Sequence, residues 1–243
     1  MSENPPPPPA PWAPPPMPSA PPPITPGSPP PAGAEGLPWE TPGYPMLEAL
    51  FETAKLFLTR PSEAFTRMRV SGDIGRPIGY AIILGWIGII AGQAYSIVLD
   101  ETMRDFLTPF TQGQDFQFGV AFNIGMMIAA PILVLLGVFI GAAVYHLFLM
   151  LFGGAGGGFP ATVRVVCYAT TTQVLQIVPL CGGVIGGVWT IVLEIIGLAI
   201  AHRTTQGKAA LAIFMPLILC CVCLAVVFAA FGAAIMAAIG NLQ

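Results

Sequence analysis

The sequence predicts an all-α fold: a polytopic membrane bundle of five transmembrane helices that follows a disordered, proline-rich N-terminal arm. The first observation is composition, because 55% of the 243 residues are hydrophobic and only 9% are charged, whereas soluble domains carry about 25% charged residues. The second is that the apolar residues form charge-poor runs near or above the roughly 20 residues that cross a bilayer as a helix. The third is that 20 of the 27 prolines fall in the first 45 residues.

The predicted arm covers residues 1–45. Proline fixes φ and lacks an N–H donor, so this segment favours an extended polyproline II spacer over a packed core. It lacks the basic region and continuous apolar region of a secretory signal, and we therefore expect it to be retained. Its P-x-x-P spacings fit aromatic grooves of partner proteins, and a plain linker is the alternative.

Residues 46–76 predict two amphipathic helices separated by Pro61. The apolar residues expected on one stripe of the first helix are Leu47, Leu50, Phe51, Ala54 and Leu58. Phe65 and Met68 give the second helix its apolar side. Such helices tend to lie in the membrane interface, and a cytosolic hairpin packed under the bundle is the competing interpretation.

The predicted transmembrane domain covers residues 77–243, with spans at about 77–99, 131–152, 165–181, 184–201 and 209–239. Pro131 suits a first helical turn, so residues 118–130 are expected to form an entry or interfacial segment. The run from 165 to 201 would overshoot the bilayer as one helix. Pro179 and the glycines that follow it therefore predict a hairpin.

Lysine and arginine placement predicts the orientation of the bundle. Residues 46–76 hold five basic residues and the 100–117 loop holds one, which places the N-terminus in the cytoplasm. A single crossing by 118–152 also puts Arg164, Arg203 and Lys208 on the cytoplasmic side, whereas two crossings would put them outside. Five spans then place the C-terminus on the opposite side.

Glu194 is the one formally charged residue between 165 and 201. At helical spacing it shares a stripe with small or polar residues: Gly183, Gly187, Thr190, Gly197 and Ala201. His146 and Glu194 are both expected about 10 Å inside the cytoplasmic end of their helices. We therefore predict an intramembrane polar layer of His146, Thr170, Thr171, Gln173 and Glu194. One interpretation is that the layer is a hydrogen-bonded lock between helices. The other is that it is a functional site, because an ionisable group inside the membrane is by default a functional-site hypothesis.

Arg203 and Lys208 follow the fourth predicted span and are candidate contacts for lipid headgroups. The alternative is that they only set topology, with Thr204 or Thr205 capping the last helix. The motifs of hydrolases, zinc proteases and nucleotide-binding loops are absent from the sequence. We therefore predict no catalytic residue, no cofactor and no metal, and the scattered basic residues do not indicate nucleic-acid binding.

Four ordered segments carry a family resemblance: "RPSEAFTRMR", "GDIGRPIGYAIILGWIG", "LFGGAGGGFPATVRVVCYATTTQVLQIVP" and "IIGLAIAHRTTQGKAAL". Together with the five-span plan they resemble the Yip1 family, in a bacterial-type form, over roughly residues 46–243. The resemblance implies an integral membrane protein without known enzymatic activity. Eukaryotic relatives act in early secretory trafficking and associate with Rab-type small GTPases, whereas bacterial relatives mostly have no assigned role.

The resulting hypothesis is a non-catalytic adaptor or membrane-organising factor, in a bacterial cytoplasmic membrane, whose cytoplasmic arm recruits an unidentified protein partner. The alternative is a small transporter or permeation pathway that uses Glu194 and His146. Beyond the lipid bilayer and that partner, the small-residue stripes Gly88–Gly92 and Ala229–Ala237 allow a homo-oligomer, although they serve packing within one chain equally well.

Overall fold

The computed structural model describes residues 36–111, 120–179 and 181–240, and every regular element in those ranges is helical. The α-helices are α1 (Met46–Thr59), α2 (Pro61–Arg67), α3 (Gly75–Thr111), α4 (Val120–Leu151), α5 (Phe159–Ala169), α6 (Gly182–Ala201) and α7 (Gln206–Gly240). Two 3₁₀ helices complete the set, an N-terminal one at Pro38–Glu40 and a central one at Thr170–Ile177. The all-α fold is therefore confirmed.

Four helices in the described ranges are long and apolar enough to cross a membrane. Their candidate spans are Gly75–Ile97, Val120–Leu151, Gly182–Ala201 and Gln206–Gly232. Three of them follow the first, fourth and fifth predicted spans closely. The second begins earlier than predicted, and the third predicted span has no single long helix.

The second span differs because α4 runs through Pro131 instead of starting there. A proline inside a helix leaves the carbonyl four residues earlier without its N–H partner, here the carbonyl of Met127. The indole Nε1 of Trp86 on α3 donates to that oxygen at 2.9 Å. A neighbouring helix thus satisfies the freed carbonyl, which is how membrane helices tolerate proline. The expected entry segment 118–130 is, from Val120 onward, part of α4.

The third predicted span, 165–181, is divided between α5 and the central 3₁₀ helix. The change falls at three consecutive threonines whose hydroxyls donate to carbonyls three residues earlier: Thr170 to Cys167, Thr171 to Tyr168 and Thr172 to Ala169. Such side-chain bonds compete with the α-helical pattern. The local sequence therefore favours a tighter helix at the point where an uninterrupted span was expected.

Two close approaches hold the central 3₁₀ helix between α3 and α6. A Cβ at Gly88 would lie 2.7 Å from Cβ of Gln173, and one at Gly186 would lie 3.1 Å from the carbonyl oxygen of Thr172. Gly88 of the Gly88–Gly92 stripe therefore packs within the chain. On α6 the close contact is made by Gly186. The predicted stripe instead contained Gly183 and Gly187, and both are exposed. The buried face of α6 is shifted by one residue there.

The segment 36–45, expected to belong to the arm, packs against the helical body. Leu37 is fully buried, the Trp39 amide donates to Oγ1 of Thr53 at 3.0 Å, and the Trp39 indole donates to the carbonyl of Arg76 at 2.6 Å. The described structure thus begins ten residues before the predicted boundary. Residues 1–35, most of the predicted arm, lie outside the described residues.

The buried face of helix α1 matches the predicted stripe only in part, because Leu50 and Ala54 pack against the core. Ala49, Thr53 and Phe57 face the body, whereas Leu47 and Phe51 are 80% and 66% exposed. The reason is aromatic packing, because the Phe57 ring stacks on Tyr168 at a centroid distance of 5.0 Å. Phe65 and Met68 of the α2 region are buried as expected. The first helix therefore packs against the helical body and also keeps an exposed apolar side.

Candidate functional site

Glu194, the centre of the predicted polar layer, lies on the buried side of α6 and is 6% exposed. It faces α4, where the hydroxyl of Tyr145 interacts with its carboxyl group. Tyr145 was not among the residues predicted for the layer. The contact that Glu194 makes with a neighbouring helix thus involves the residue next to His146 in the sequence.

Thr170 and Gln173 lie on the same side of the bundle as Glu194. All three line one cavity of about 240 Å³ between α3, α4, α5, α6 and the central 3₁₀ helix. Thr190 lines it as well, and its hydroxyl lies 2.5 Å from that of Thr172. The structure therefore places three of the five predicted layer residues around one space.

Thr171 is directed elsewhere, with its hydroxyl 2.7 Å from the hydroxyl of Tyr80 on α3. Both side chains are fully buried. This contact closes one end of the aromatic cluster formed by Phe57, Tyr80 and Tyr168. Thr171 therefore links α3 to the central 3₁₀ helix and is not a lining residue of the cavity.

His146 belongs to a second polar network, two to three turns further along α4 than the cavity-lining positions Val134 and Val138. Nδ1 of His146 and Nε2 of His202 each lie 2.9 Å from Oγ1 of Thr162, which sits between them. The Gly157 amide donates to Nδ1 of His202 at 3.1 Å. An Nδ1 that accepts this bond carries no proton, so in this arrangement the ring proton is on Nε2 and His202 is neutral.

His202 follows the end of α6 and is 3% exposed. Burial, followed by the positive charge that His146 can carry, lowers the pKa of His202 below its ordinary value. In this arrangement Nε2–H of His202 donates to Thr162, and the Thr162 hydroxyl donates to His146. The three side chains therefore form a neutral hydrogen-bonded relay that joins α4, α5 and the turn after α6. The sequence singled out His146 but assigned it no partner in this turn.

A buried ion pair that sequence reasoning missed lies where the N-terminal segment meets α5. Nη1 of Arg164 is 3.1 Å from Oε1 of Glu40, with side chains 1% and 4% exposed. The Tyr168 hydroxyl donates to the same oxygen at 2.8 Å, and the Arg69 amide donates to Oε2 at 3.2 Å. Glu40 thus receives donors from α5 and from the segment after α2.

The other end of Arg164 fastens the connection between α2 and α3. Its Nη2 donates to the carbonyls of Ser71 at 3.1 Å and Asp73 at 2.6 Å. The available signal was an arginine within the apolar run "ATVRVVCYA", four residues before Tyr168 on one helix face. Sequence reasoning used Arg164 only to count charges for topology, and it placed Glu40 in the arm.

Of the candidate lipid contacts, Arg203 lies in the turn between α6 and α7, and Lys208 lies in the first turn of α7. Arg203 is exposed and has a φ of 51°. Nζ of Lys208 donates to the carbonyl of Gly153 at 3.2 Å, and its amide donates to Oγ1 of Thr205 at 3.3 Å. Thr205 therefore occupies the capping position proposed for it, and Lys208 ties the α6–α7 turn to the glycine-rich loop after α4.

Comparison with known proteins identifies the family. A family model described as the Yip1 domain matches residues 55–239. No curated protein and no solved structure matches the chain. The matched region contains all four candidate spans up to Gly232, which makes the protein an integral membrane protein with several spans. Because the match covers well over half of the sequence, the chain belongs to the Yip1 domain family.

Proposed function

We propose that this protein is a non-catalytic adaptor or membrane-organising factor whose N-terminal arm recruits a protein partner at the cytoplasmic face. The observation that carries the proposal is the Glu40–Arg164 ion pair, buried on both sides. It fastens the chain to the membrane body a few residues after the proline-rich sequence. An arm with a fixed exit point is suited to present a partner near the bilayer.

The outward side of α1 supports the same function. Met46, Leu47 and Phe51 are 61%, 80% and 66% exposed, although the opposite side of α1 is packed. An exposed apolar side next to charged residues is typical of helices in the membrane interface. In the proposed arrangement α1 lies against the lipid surface at the base of the arm.

The proposed topology has five crossings, with α5 and the central 3₁₀ helix together making the third. The N-terminus is then cytoplasmic and the C-terminus lies on the opposite side, in what we propose is a bacterial cytoplasmic membrane. The basic residues before α3 support this orientation. Self-association would use α7, whose residues 217–232 are exposed.

The test is crosslinking in native membranes followed by mass spectrometry. The full chain is compared with a version that lacks residues 1–35, because a cut at residue 45 would also remove Leu37 and Glu40 from the body. A third version carries a Gly/Ser segment of equal length in place of residues 1–35. We expect the same protein partners to be lost from both altered chains. Partners that persist in both would contradict an adaptor role for the arm.

One observation favours the alternative of a small transporter, namely the cavity beside Glu194. His146 is bound instead in the relay with Thr162 and His202. A permeation pathway would therefore use Glu194 without direct help from His146. A pH-dependent flux into vesicles that is lost in Glu194→Gln but kept in His146→Gln would support this alternative.

A further inference from the structure

The cavity beside Glu194 combines one intramembrane carboxyl group with otherwise mostly apolar walls. Its polar side chains are Thr170, Gln173, Thr190 and Glu194, and the rest of its lining consists of aliphatic side chains and glycines. Lysine, arginine and histidine are absent from the described residues that line it. Its volume of about 240 Å³ exceeds by several-fold the roughly 30 Å³ that a water molecule occupies in the liquid.

The two hydroxyl groups at the cavity already donate their protons to hydrogen bonds within the chain. Thr170 Oγ1 donates to the carbonyl of Cys167 at 2.6 Å. Thr190 Oγ1 donates either to the carbonyl of Gly186 at 2.8 Å or to Oγ1 of Thr172 at 2.5 Å. In both arrangements each cavity hydroxyl has only lone pairs left, because a hydroxyl has a single proton to donate.

The carboxyl group of Glu194 adds further acceptor capacity. The Tyr145 hydroxyl interacts with it, whereas an ionised carboxylate offers about four lone-pair positions. A buried carboxylate is stable when a cation pairs with it and hydrogen bonds satisfy its remaining oxygens. Gln173 adds an amide group whose oxygen already accepts a hydrogen bond from Gln176. The cavity therefore presents the hydroxyl lone pairs, the Gln173 amide and a potential negative charge to whatever enters it, beside an apolar wall.

We propose that this cavity binds an alkylammonium group, with the ammonium on Glu194 and the attached carbons against the aliphatic wall. An ammonium has three donors and no acceptor, which complements the lone pairs of Thr170 and Thr190. The source is either a soluble amine or the ammonium headgroup of a phospholipid. This inference is independent of the arm, so it can fail while the adaptor role stands, and the reverse also holds.

The test uses the full chain in phosphatidylcholine nanodiscs and measures its melting temperature with three probes of equal carbon length: n-butylammonium, n-butanol and n-butyrate. Butylammonium at a few times its Kd is expected to raise the melting temperature by about 2–4 °C. Butanol, which has the same tail without the charge, and butyrate, which has the opposite charge, are expected to give no shift. A similar shift with butanol would overturn the proposal.

Two variants separate the carboxyl group from the space beside it. Glu194→Gln removes the charge, and Gly137→Leu fills the cavity while leaving Glu194 in place, because a Cβ at Gly137 would meet no atom within 4 Å. Both are expected to lose the butylammonium shift. Gly125→Leu is the matched control, since Gly125 lies on the same helix, has equally open surroundings and does not line the cavity.

The shift is expected to remain in Gly125→Leu. If it survives in Glu194→Gln, or if Gly137→Leu retains it, the proposal is wrong. If Glu194→Gln fails to fold, the three probes still test the proposal, and so does the comparison of Gly137→Leu with Gly125→Leu. Nanodiscs containing phosphatidylethanolamine then identify the source: a reduced butylammonium shift indicates a lipid headgroup, and an unchanged shift indicates a soluble amine.

Discussion

The guanidinium of Arg164 and the carboxylate of Glu40 are 3.1 Å apart and are separated by 124 residues in the sequence. Both side chains are almost fully buried, so neither charge has water to solvate it. Removing one member of such a pair leaves an uncompensated buried charge, which costs far more than the pair itself contributes. The pair is therefore a strong constraint on where the N-terminal segment can lie.

Replacement of Glu40 tests this constraint. Glu40→Leu is expected to lower the free energy of unfolding by about 3–5 kcal/mol, because Arg164 is left without its counter-charge. The free energy is measured by denaturant titration in detergent micelles. Glu52→Leu is the control, since Glu52 belongs to an exposed pair with Lys55 and such pairs contribute about 0–1 kcal/mol.

The double variant Glu40→Leu/Arg164→Met completes the comparison. It removes both charges and is expected to recover much of the loss, because hydrophobic replacement of a buried pair is often neutral. Equal stability of Glu40→Leu and Glu52→Leu would show that the carboxylate of Glu40 does not support the fold.

Two truncations test where the folded body begins. Deleting residues 1–35 is expected to leave the melting temperature unchanged. Deleting residues 1–45 also removes Leu37, which is fully buried, together with Glu40. Burial of one leucine side chain alone stabilises by about 1.5–3 kcal/mol, so the longer deletion is expected to lower the melting temperature by several degrees. Identical melting of the two chains would place the boundary at residue 45 after all.

The differences between the sequence predictions and the structure have specific causes. Span predictions depend on apolar content, and three spans were found because that signal is local. The position of Pro131 within its helix was predicted wrongly, because the hydrogen bond that accommodates it inside α4 comes from Trp86, more than forty residues away. The Glu40–Arg164 pair was missed for the same reason, because a contact between residues that are 124 positions apart cannot be recognised from a short stretch of sequence. Glu194 was found because an acid in an apolar run is visible without knowing its partner.

The neutral state of His202 predicts a pH dependence of stability. Burial and His146 lower the pKa of His202 in the folded chain, whereas the unfolded chain takes up a proton near the ordinary value of about 6.5. The stability that His202 contributes is therefore present above about pH 6.5 and is lost progressively as the pH falls below it.

His202→Gln removes this titration. Unfolding free energies measured from pH 8 to pH 5 are expected to fall more steeply with acid in the wild-type chain than in the variant. The comparison isolates His202 from the carboxylates, which both chains share. Parallel pH profiles would mean that His202 does not need to be neutral in the fold.

The interaction between the Tyr145 hydroxyl and Glu194 predicts different results for two substitutions of the acid. Glu194→Gln keeps an acceptor for the Tyr145 hydroxyl and is expected to preserve stability. Glu194→Leu leaves that hydroxyl without its partner, at a cost of about 1–3 kcal/mol. Thermal melts in detergent compare the two, and in a Tyr145→Phe background the difference should shrink. Equal melting temperatures in the wild-type background would remove the case for a structural lock at Glu194.

The packing of the central 3₁₀ helix against α3 predicts opposite effects for two glycine substitutions. A Cβ at Gly88 would lie 2.7 Å from Cβ of Gln173 and 2.8 Å from its carbonyl oxygen. Backbone cannot retreat as a flexible side chain can, so Gly88→Ala is expected to destabilise by about 1–3 kcal/mol. Gly187→Ala is the control, because a Cβ there meets nothing within 4 Å and alanine favours a helix by up to about 1 kcal/mol.

Unfolding measured in parallel on these two variants tests the shape of the third crossing directly. If residues 165–181 instead formed one continuous helix, the threonine hydroxyls and Gln173 would point in other directions, and the carbonyl of Gln173 would not face Gly88. The two substitutions would then have similar effects. A clear loss at Gly88 with none at Gly187 requires a backbone that brings Gln173 against α3, as the change to a 3₁₀ helix at Thr170 does.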